Sequence, residues 1–569
     1  MGRLYLQPSI LAKRGSILLF VAFILFYLYG LGHLPFIGPD EPRYAQVAHE
    51  MFLRRDWITP TLGGYLWFEK PALLYWMEIA AFKLVGTSEW SARLTGALSG
   101  LLTVAAVFWI GRRTERSATI SDLESEISAQ PDLKSAISNN RFGSLGFWSA
   151  FVAGTSGGLI AFSRAVSFDI LITMTIAWAL AFFFAAELEI DQKSQRRLLL
   201  GFYFAIGVSL LAKGLVGFVV PFGVIGAYYT LRGSAPARKI LGSIAWGIPL
   251  ALAVSAVWYG PMFWKHGTLF FDEFVIKHHF ERYATNKYHH PGAIYYYLEI
   301  LPLLALPWSA LLIDGLLKAR KVFWKGSDDP VSRLQTFALA WLLLPLIFFS
   351  ISSSKLPGYI LPVLPAVALL AGSRLAHLHS DSRNNWAIKA TGALGLLFAI
   401  ALLVVAWHSG KLSLAVLIIA ELGAAAGTVA VFFNRSRQTA AFVIGATTLA
   451  IVMIAVHSVA PGLVDSQSSK RLIQLADQRG YAHAPVFGLQ RDDRAPEFYA
   501  AGRVVYGEDH EPVMYDGVGQ VIYETHLRKE TLLVLIPMSD VGGLSQAESV
   551  QIDVIANNGR VAIVAVTPL

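Results

Sequence analysis

Apolar stretches of about 20 residues recur along the first 460 positions, separated by short polar joints, and each is long enough to cross a hydrocarbon layer of roughly 30 Å as a helix. The pattern predicts thirteen spans, at 17–32, 91–111, 143–162, 168–186, 198–212, 214–231, 240–263, 298–317, 334–352, 358–376, 387–407, 411–433 and 438–459. One further apolar run stays out of the count. Ala72–Val85 has about 14 residues and contains Glu78 and Lys83, so it is too short to span and better suits a helix lying along the interface. The first span follows Lys13 and Arg14 without a small-residue cleavage site, which predicts an uncleaved anchor with its N-terminus in the cytoplasm.

Charge tests this arrangement. With thirteen spans, Arg112, Arg113, Arg116, Lys193, Arg196, Arg197, Arg238, Lys239, Lys318, Arg320, Lys321, Lys325, Arg435 and Arg437 all fall on the side of the N-terminus, as cytoplasmic loops require. Counting Ala72–Val85 as a span would turn these clusters outward. The polar, Ser-rich stretch 114–141 is then expected to be a cytoplasmic loop without chemistry. Beyond about Gly462 the pattern changes. Helical spacing at Ser468–Gly480 and short β-like runs at Pro485–Leu489, Val504–Tyr506, Leu532–Pro537 and Val561–Val566 predict a small α/β domain over 462–569, outside the cytoplasm. Residues 1–461 form the membrane domain, with juxtamembrane helices in 35–90 and an outer loop at 265–297.

Composition agrees: 55% of the 569 residues are hydrophobic and 15% are charged, which excludes an ordinary soluble enzyme. A formal charge of +8 invites a nucleic-acid reading, but the Lys and Arg residues cluster between spans and form no basic face, so no nucleic-acid partner is expected. The absence of cysteine removes disulfides, thiol nucleophiles and Cys-ligated metals.

An ionisable residue at a span end that topology does not require is a functional candidate. Four groups qualify, all on the outward face. The first is Gly38–Ala45, with Asp40, Glu41, Arg43 and Tyr44, where an acid pair at a helix start equally serves as a cap. The second comprises Glu69 and Lys70, with Tyr65 nearby. They are either a solvated rim pair or a lipid-phosphate holder. The third is Ser163–Asp169, where Arg164 is a membrane-boundary marker or a ligand and Asp169 a helix start or a reacting group. The fourth combines Phe274–Pro291, carrying His278, His279, Arg282, His289 and His290, with Ser354–Pro362, carrying Lys355 and Tyr359. Glu69, His278 and His279 are compatible with a divalent metal such as zinc, but adjacent histidines lack the i, i+4 spacing that would demand one. Carboxylates, cations and aromatics gathered at one interface suit an anionic, sugar-bearing lipid. No phosphate-loop motif is present, so an activated sugar is expected to arrive on a membrane lipid rather than a nucleotide.

Asp-Glu-Pro-Arg-Tyr-Ala at 40–45, Phe-Glu-Lys-Pro at 68–71 and Lys-Leu-Pro-Gly-Tyr-Ile-Leu-Pro at 355–362 resemble the bacterial lipid A aminoarabinose transferases. These are C-type, polyprenyl-phosphate-sugar-dependent glycosyltransferases that also include the protein O-mannosyltransferases. The similarity runs from about 17 to 376. It implies a polytopic all-α membrane protein of the C-type glycosyltransferase fold, with thirteen transmembrane helices and a small periplasmic α/β domain, in the bacterial inner membrane with its active site facing the periplasm. It further implies transfer of 4-amino-4-deoxy-L-arabinose from undecaprenyl phosphate to lipid A phosphates, with inversion, no required cofactor, a monomeric chain, and resistance to polymyxin and cationic peptides.

By motif, the resemblance makes Asp40 and Asp169 the essential acids and places Lys70 and Arg282 near the donor phosphate. Tyr359, Lys355, Glu69 and His279 would line the same cavity, with Glu41, Arg43, Tyr44, Tyr65 and Arg164 as further substrate contacts. Two competing readings are a transferase acting on protein hydroxyls or another glycolipid, and a transporter. The latter is disfavoured because only Lys213-Gly214 looks like an interrupted helix.

Overall fold

The computed structural model describes residues 10–129, 145–274, 292–325, 328–376, 386–408, 413–432, 437–465, 467–489, 494–500 and 502–569. They divide into two compact units.

The first unit comprises 1–29, 69–73 and 96–455 and is helical among the described residues. Among the described residues, each predicted span overlaps a helix or a broken helix pair, without the same bounds. By length and apolarity, eight helices qualify as membrane spans, or up to ten if each bent pair is one span. The chain is a multi-pass membrane protein. The bent pairs are Leu145–Gly154 with Gly157–Ser163, turned by 59°, and Tyr296–Leu304 with Ser309–Arg320, turned by 112°. Val216–Arg232, also apolar, is shorter than those eight at 17 residues. Helix Phe168–Leu188 lies at the centre, with 83% of its most apolar window buried.

The expected loop at 114–141 is corrected in part. The helix beginning at Glu89 continues to Ala129, because no Gly or Pro interrupts the chain between Gly111 and Pro131. Polar composition alone does not break a helix.

The second unit comprises 30–68, 74–95 and 456–569. Helices Asp40–Arg54 and Leu73–Val85 belong to it, as does a two-stranded ribbon pairing Thr61–Leu62 with Tyr65–Leu66. Glu50 fixes this ribbon by accepting from Thr61 Oγ1 at 2.6 Å and the Gly63 amide at 2.7 Å. The C-terminal residues form a five-stranded sheet in the order 514–515, 486–489, 532–537, 561–568, 550–557. The first three strands are parallel, and the last two join antiparallel. Val561–Val566 is buried throughout, as a central strand covered on both faces must be. The expected strand at Val504–Tyr506 makes only isolated bridges, and Val550–Asn557 adds a strand that the sequence pattern did not predict.

Candidate functional site

In the helical unit, three elements bring charged and aromatic groups together. Ser167 caps helix Phe168–Leu188 by accepting from the Asp169 amide at 3.1 Å, which sets Asp169 in the first turn. Thr173 Oγ1 donates to the Asp169 carbonyl at 2.6 Å. Helix Gln192–Lys213 ends on Gly214 in a positive-φ conformation, and its last residue, Lys213, pairs its ammonium with Asp169 Oδ1. That ammonium also lies 4.9 Å from the centre of the Tyr359 ring, on the short 3-10 helix Pro357–Val363. Gly358 makes this meeting feasible, because a Cβ there would collide with Asp169 Oδ2.

Asp169 and Tyr359 therefore share a site. Lys213, the group that joins them, appears in the sequence reading only as a helix interruption and not among the candidate site residues. The signal was available: in the expected topology Lys213 lies on the outward side, where a basic residue has no topological task. The pair is 19% and 18% exposed, sheltered enough to strengthen its attraction yet open to a ligand. Lys70 and Glu69 form a second sheltered pair at 2.7 Å, each side chain 11% exposed. Lys355 is buried and donates to the Ser352 carbonyl at 2.5 Å. Arg164 donates to the carbonyls of Phe26 and Tyr29, at the end of the first helix, and lies 5.5 Å over the Phe26 ring. In the structure, Lys355 and Arg164 thus hold backbone.

In the second unit, Asp40 and Glu41 start helix Asp40–Arg54 but have different surroundings. Asp40 is 55% exposed and pairs with Arg43 at 2.6 Å; Arg43 lies 5.6 Å over the Trp67 ring. Glu41 is buried, accepts from Arg93 Nε at 2.9 Å and Nη2 at 2.8 Å, and also accepts from the Ile37 amide. Arg93 further donates to the carbonyls of Leu31, Leu34 and Pro35. Its guanidinium therefore clamps the whole segment leading into Asp40. Tyr44 is buried, and Tyr65 is stacked on His510 at 4.2 Å. Beneath this helix, on Leu73–Val85, Glu78 is fully buried with no hydrogen-bond partner for either oxygen among the described residues. Burial, with the nearby Glu41 charge adding to it, holds its carboxyl well above the usual carboxylate range.

Arg282, His278, His279, His289 and His290 lie outside the described residues. Of the three metal candidates only Glu69 is described, and its carboxylate is engaged by Lys70. No group of three metal-binding side chains is gathered among the described residues.

A family model, dolichyl-phosphate-mannose-protein mannosyltransferase, matches residues 15–127. Curated relatives called undecaprenyl phosphate-alpha-4-amino-4-deoxy-L-arabinose arabinosyl transferase include one from Yersinia enterocolitica, 30% identical over 70% of this chain and 66% of its own length. Another, from Pseudomonas paraeruginosa, is 31% identical over 67% of this chain and 62% of its own. The matches thus span a little under two thirds of those relatives. Among solved structures, ArnT from Cupriavidus metallidurans bound to undecaprenyl phosphate superposes with a TM-score of 0.75 at 23% identity, covering 97% of this chain and 98% of that one. Its apo state gives 0.74. The chain is thus similar in sequence, over most of its length, to the undecaprenyl phosphate-aminoarabinose arabinosyl transferases, and over nearly all of its length it has the fold of ArnT.

Proposed function

We propose that this protein transfers 4-amino-4-deoxy-L-arabinose from undecaprenyl phosphate to lipid A phosphates, and that this confers resistance to polymyxin and cationic peptides. The observation that carries the reading is the sheltered Asp169–Lys213–Tyr359 cluster in a chain with this similarity and this fold. We place the chain in the bacterial inner membrane with thirteen transmembrane helices, the site facing the periplasm and 462–569 a periplasmic α/β domain. One chain carries all the proposed catalytic residues, so the chemistry calls for no second copy.

In the transfer, an oxygen of the lipid A phosphate attacks C1 of the sugar while the C1–O bond to undecaprenyl phosphate breaks, the electron pair leaving with that phosphate. The displacement inverts C1 and balances without a cofactor. Negative charge grows on the leaving phosphate, so fixed cations accelerate the step. Lys70 and Arg282 have that role, with Lys70 exchanging Glu69 for the donor phosphate. An attacking phosphate is already ionised and needs no general base. Asp169 instead orients Lys213 or receives the sugar's amine. Asp40, exposed and paired with Arg43, orients the acceptor. Tyr359 packs against the sugar.

The mannosyltransferase model over 15–127 favours a second reading, in which a protein hydroxyl is the acceptor and an aspartate takes its proton. One experiment separates them. In a strain lacking its own aminoarabinose transferase but holding the donor, mass spectra of lipid A should show the added sugar with wild type and lose it with Lys70→Ala and Asp169→Ala. Unmodified lipid A with well-expressed wild type refutes the lipid A acceptor. Covalent sugar trapped on Asp169 or Asp40 refutes single displacement.

A further inference from the structure

The proposed transfer uses no residue of 462–569, yet one short helix of that stretch, Ala495–Tyr499, packs within the second unit on the element that begins with Asp40. Three consecutive side chains make the contact. The Tyr499 hydroxyl accepts from the Phe36 amide at 2.8 Å and donates to Glu89 Oε1 at 2.9 Å. Glu89 is itself anchored by the Lys470 ammonium. The Phe498 ring meets Phe36 edge-on at 4.9 Å and lies 5.9 Å from the ring of His49, on helix Asp40–Arg54.

Glu497 is the third of these side chains, and it is buried. Its Oε1 accepts from the Tyr506 hydroxyl at 2.8 Å and from Arg494 Nη1 at 3.2 Å, while Oε2 makes no hydrogen bond among the described residues. Burial pushes this carboxyl up, and the positive charges of Arg494 and of Arg43, on helix Asp40–Arg54, pull it back. Arg43 is the partner of Asp40 and lies over the Trp67 ring. Tyr506 backs the ribbon beyond: a Cβ on Gly63 would lie 2.3 Å from its ring. A buried carboxylate on one side and an aromatic ring on another limit where the guanidinium can go. A guanidinium so held fixes the carboxylate paired with it.

We propose that Glu497, Phe498 and Tyr499 are positioning residues for Asp40: Tyr499 and Phe498 fix the chain four residues before it, at Phe36, and Glu497 fixes its partner, Arg43. This rests on the reading of Asp40 as the group that orients the acceptor. Asp40 is 55% exposed, so a carboxylate open to water on one side has to be held from beneath. Arg93 already secures the carbonyls of Leu31, Leu34 and Pro35, and Tyr499 takes the next polar group in line, the Phe36 amide. Misplacing a reacting group by about 1 Å costs up to about 10²-fold in rate, so contacts remote from the chemistry are legible in kinetics.

Two double-mutant cycles on the full-length chain test this, with polyprenyl phosphate-linked aminoarabinose as donor and lipid A as acceptor. Tyr499→Phe keeps the ring and deletes both hydrogen bonds, and Glu497→Gln keeps the shape and deletes the charge. Each should lower kcat/KM for lipid A about tenfold, the scale of one buried hydrogen bond, and leave the donor KM unchanged. In an Asp40→Ala background neither should lower it further, because the residue through which they act is gone. Purely structural damage would instead lower the rate in both backgrounds and move the constants of both substrates. Should Y499F fail to fold, E497Q, away from the Phe36 amide, decides alone. An impaired Asp40→Ala chain beside unimpaired Y499F and E497Q, or an equal loss in the Asp40→Ala background, overturns the proposal and spares the role of Asp40. Wild-type transfer by Asp40→Ala refutes that role and the proposal with it.

Discussion

Two ion pairs of similar chemistry have opposite consequences. In the second unit, Arg93 and Glu41 are 4% and 9% exposed, and the arginine spends its donors on Glu41 and on three backbone carbonyls. In the helical unit, Lys213 and Asp169 are 19% and 18% exposed, and the lysine has an aromatic ring for its second neighbour. A saturated pair cannot accept a ligand without losing bonds that hold the backbone. The half-open pair can exchange partners at little cost. Charge alone does not make a site; unspent hydrogen-bonding capacity beside a fixed charge does.

Removing one member of each pair tests the contrast, beginning with the largest effect. Arg93→Ala strands a buried carboxylate and frees the segment before Asp40, so unfolding in detergent should show a loss of about 3–5 kcal/mol. Wild-type stability in that variant would mean that the clamp is idle. Lys213→Met should lower transfer about 10²–10³-fold, the scale for removing one preorganised charge partner, while thermal unfolding shifts far less. A fall in stability matching the fall in rate would make Lys213 merely structural.

Gly358→Ala comes next. A methyl group collides with Asp169, and repacking a tight contact costs about 1–3 kcal/mol, which should appear as roughly tenfold slower transfer. Asp40→Ala should leave stability within about 0.5 kcal/mol, since an exposed pair contributes little, yet reduce activity.

The smallest effect depends on pH. Glu78 has its carboxyl held above the ordinary range by burial, so the folded protein binds a proton there that the unfolded chain releases. Its cost to stability is absent below the ordinary carboxylate range and grows as pH rises through the window between the unfolded and folded values. Glu78→Gln should therefore match wild type near pH 4 and unfold at a higher temperature near pH 8. Parallel unfolding curves across that range would show that Glu78 is not held neutral by the fold.

Much of this was legible in the chain. Hydrophobic runs located the helices, since spanning length is a physical minimum, and the break near Gly462 marked the sheet-forming C-terminal part. The Asp40, Lys70 and Lys355–Pro362 motifs supplied the resemblance to these transferases. Less legible was how each polar residue divides its bonds. Arg93 looks like any boundary arginine, and only folding reveals that three carbonyls converge on it. Glu78 reads as an interfacial polar residue because burial depends on neighbours remote in sequence. Lys213 was set aside as a helix interruption, although a lysine on the outward side already lacked a topological reason to be there. Continuation of the helix through 114–129 was hidden for a different reason. Serine and charge weaken helix propensity without abolishing it, and the first proline in the sequence after Gly111 is Pro131.

The helix Glu89–Ala129 has a practical consequence. At 41 residues and 1.5 Å per residue it is about 60 Å long, twice the thickness of the hydrocarbon layer. Roughly half of it must project beyond the lipid as a rod. A rigid antigen-binding fragment or a helical fusion grafted there would ride as a fiducial for electron cryomicroscopy, lending a small membrane protein the mass and asymmetry that particle alignment needs.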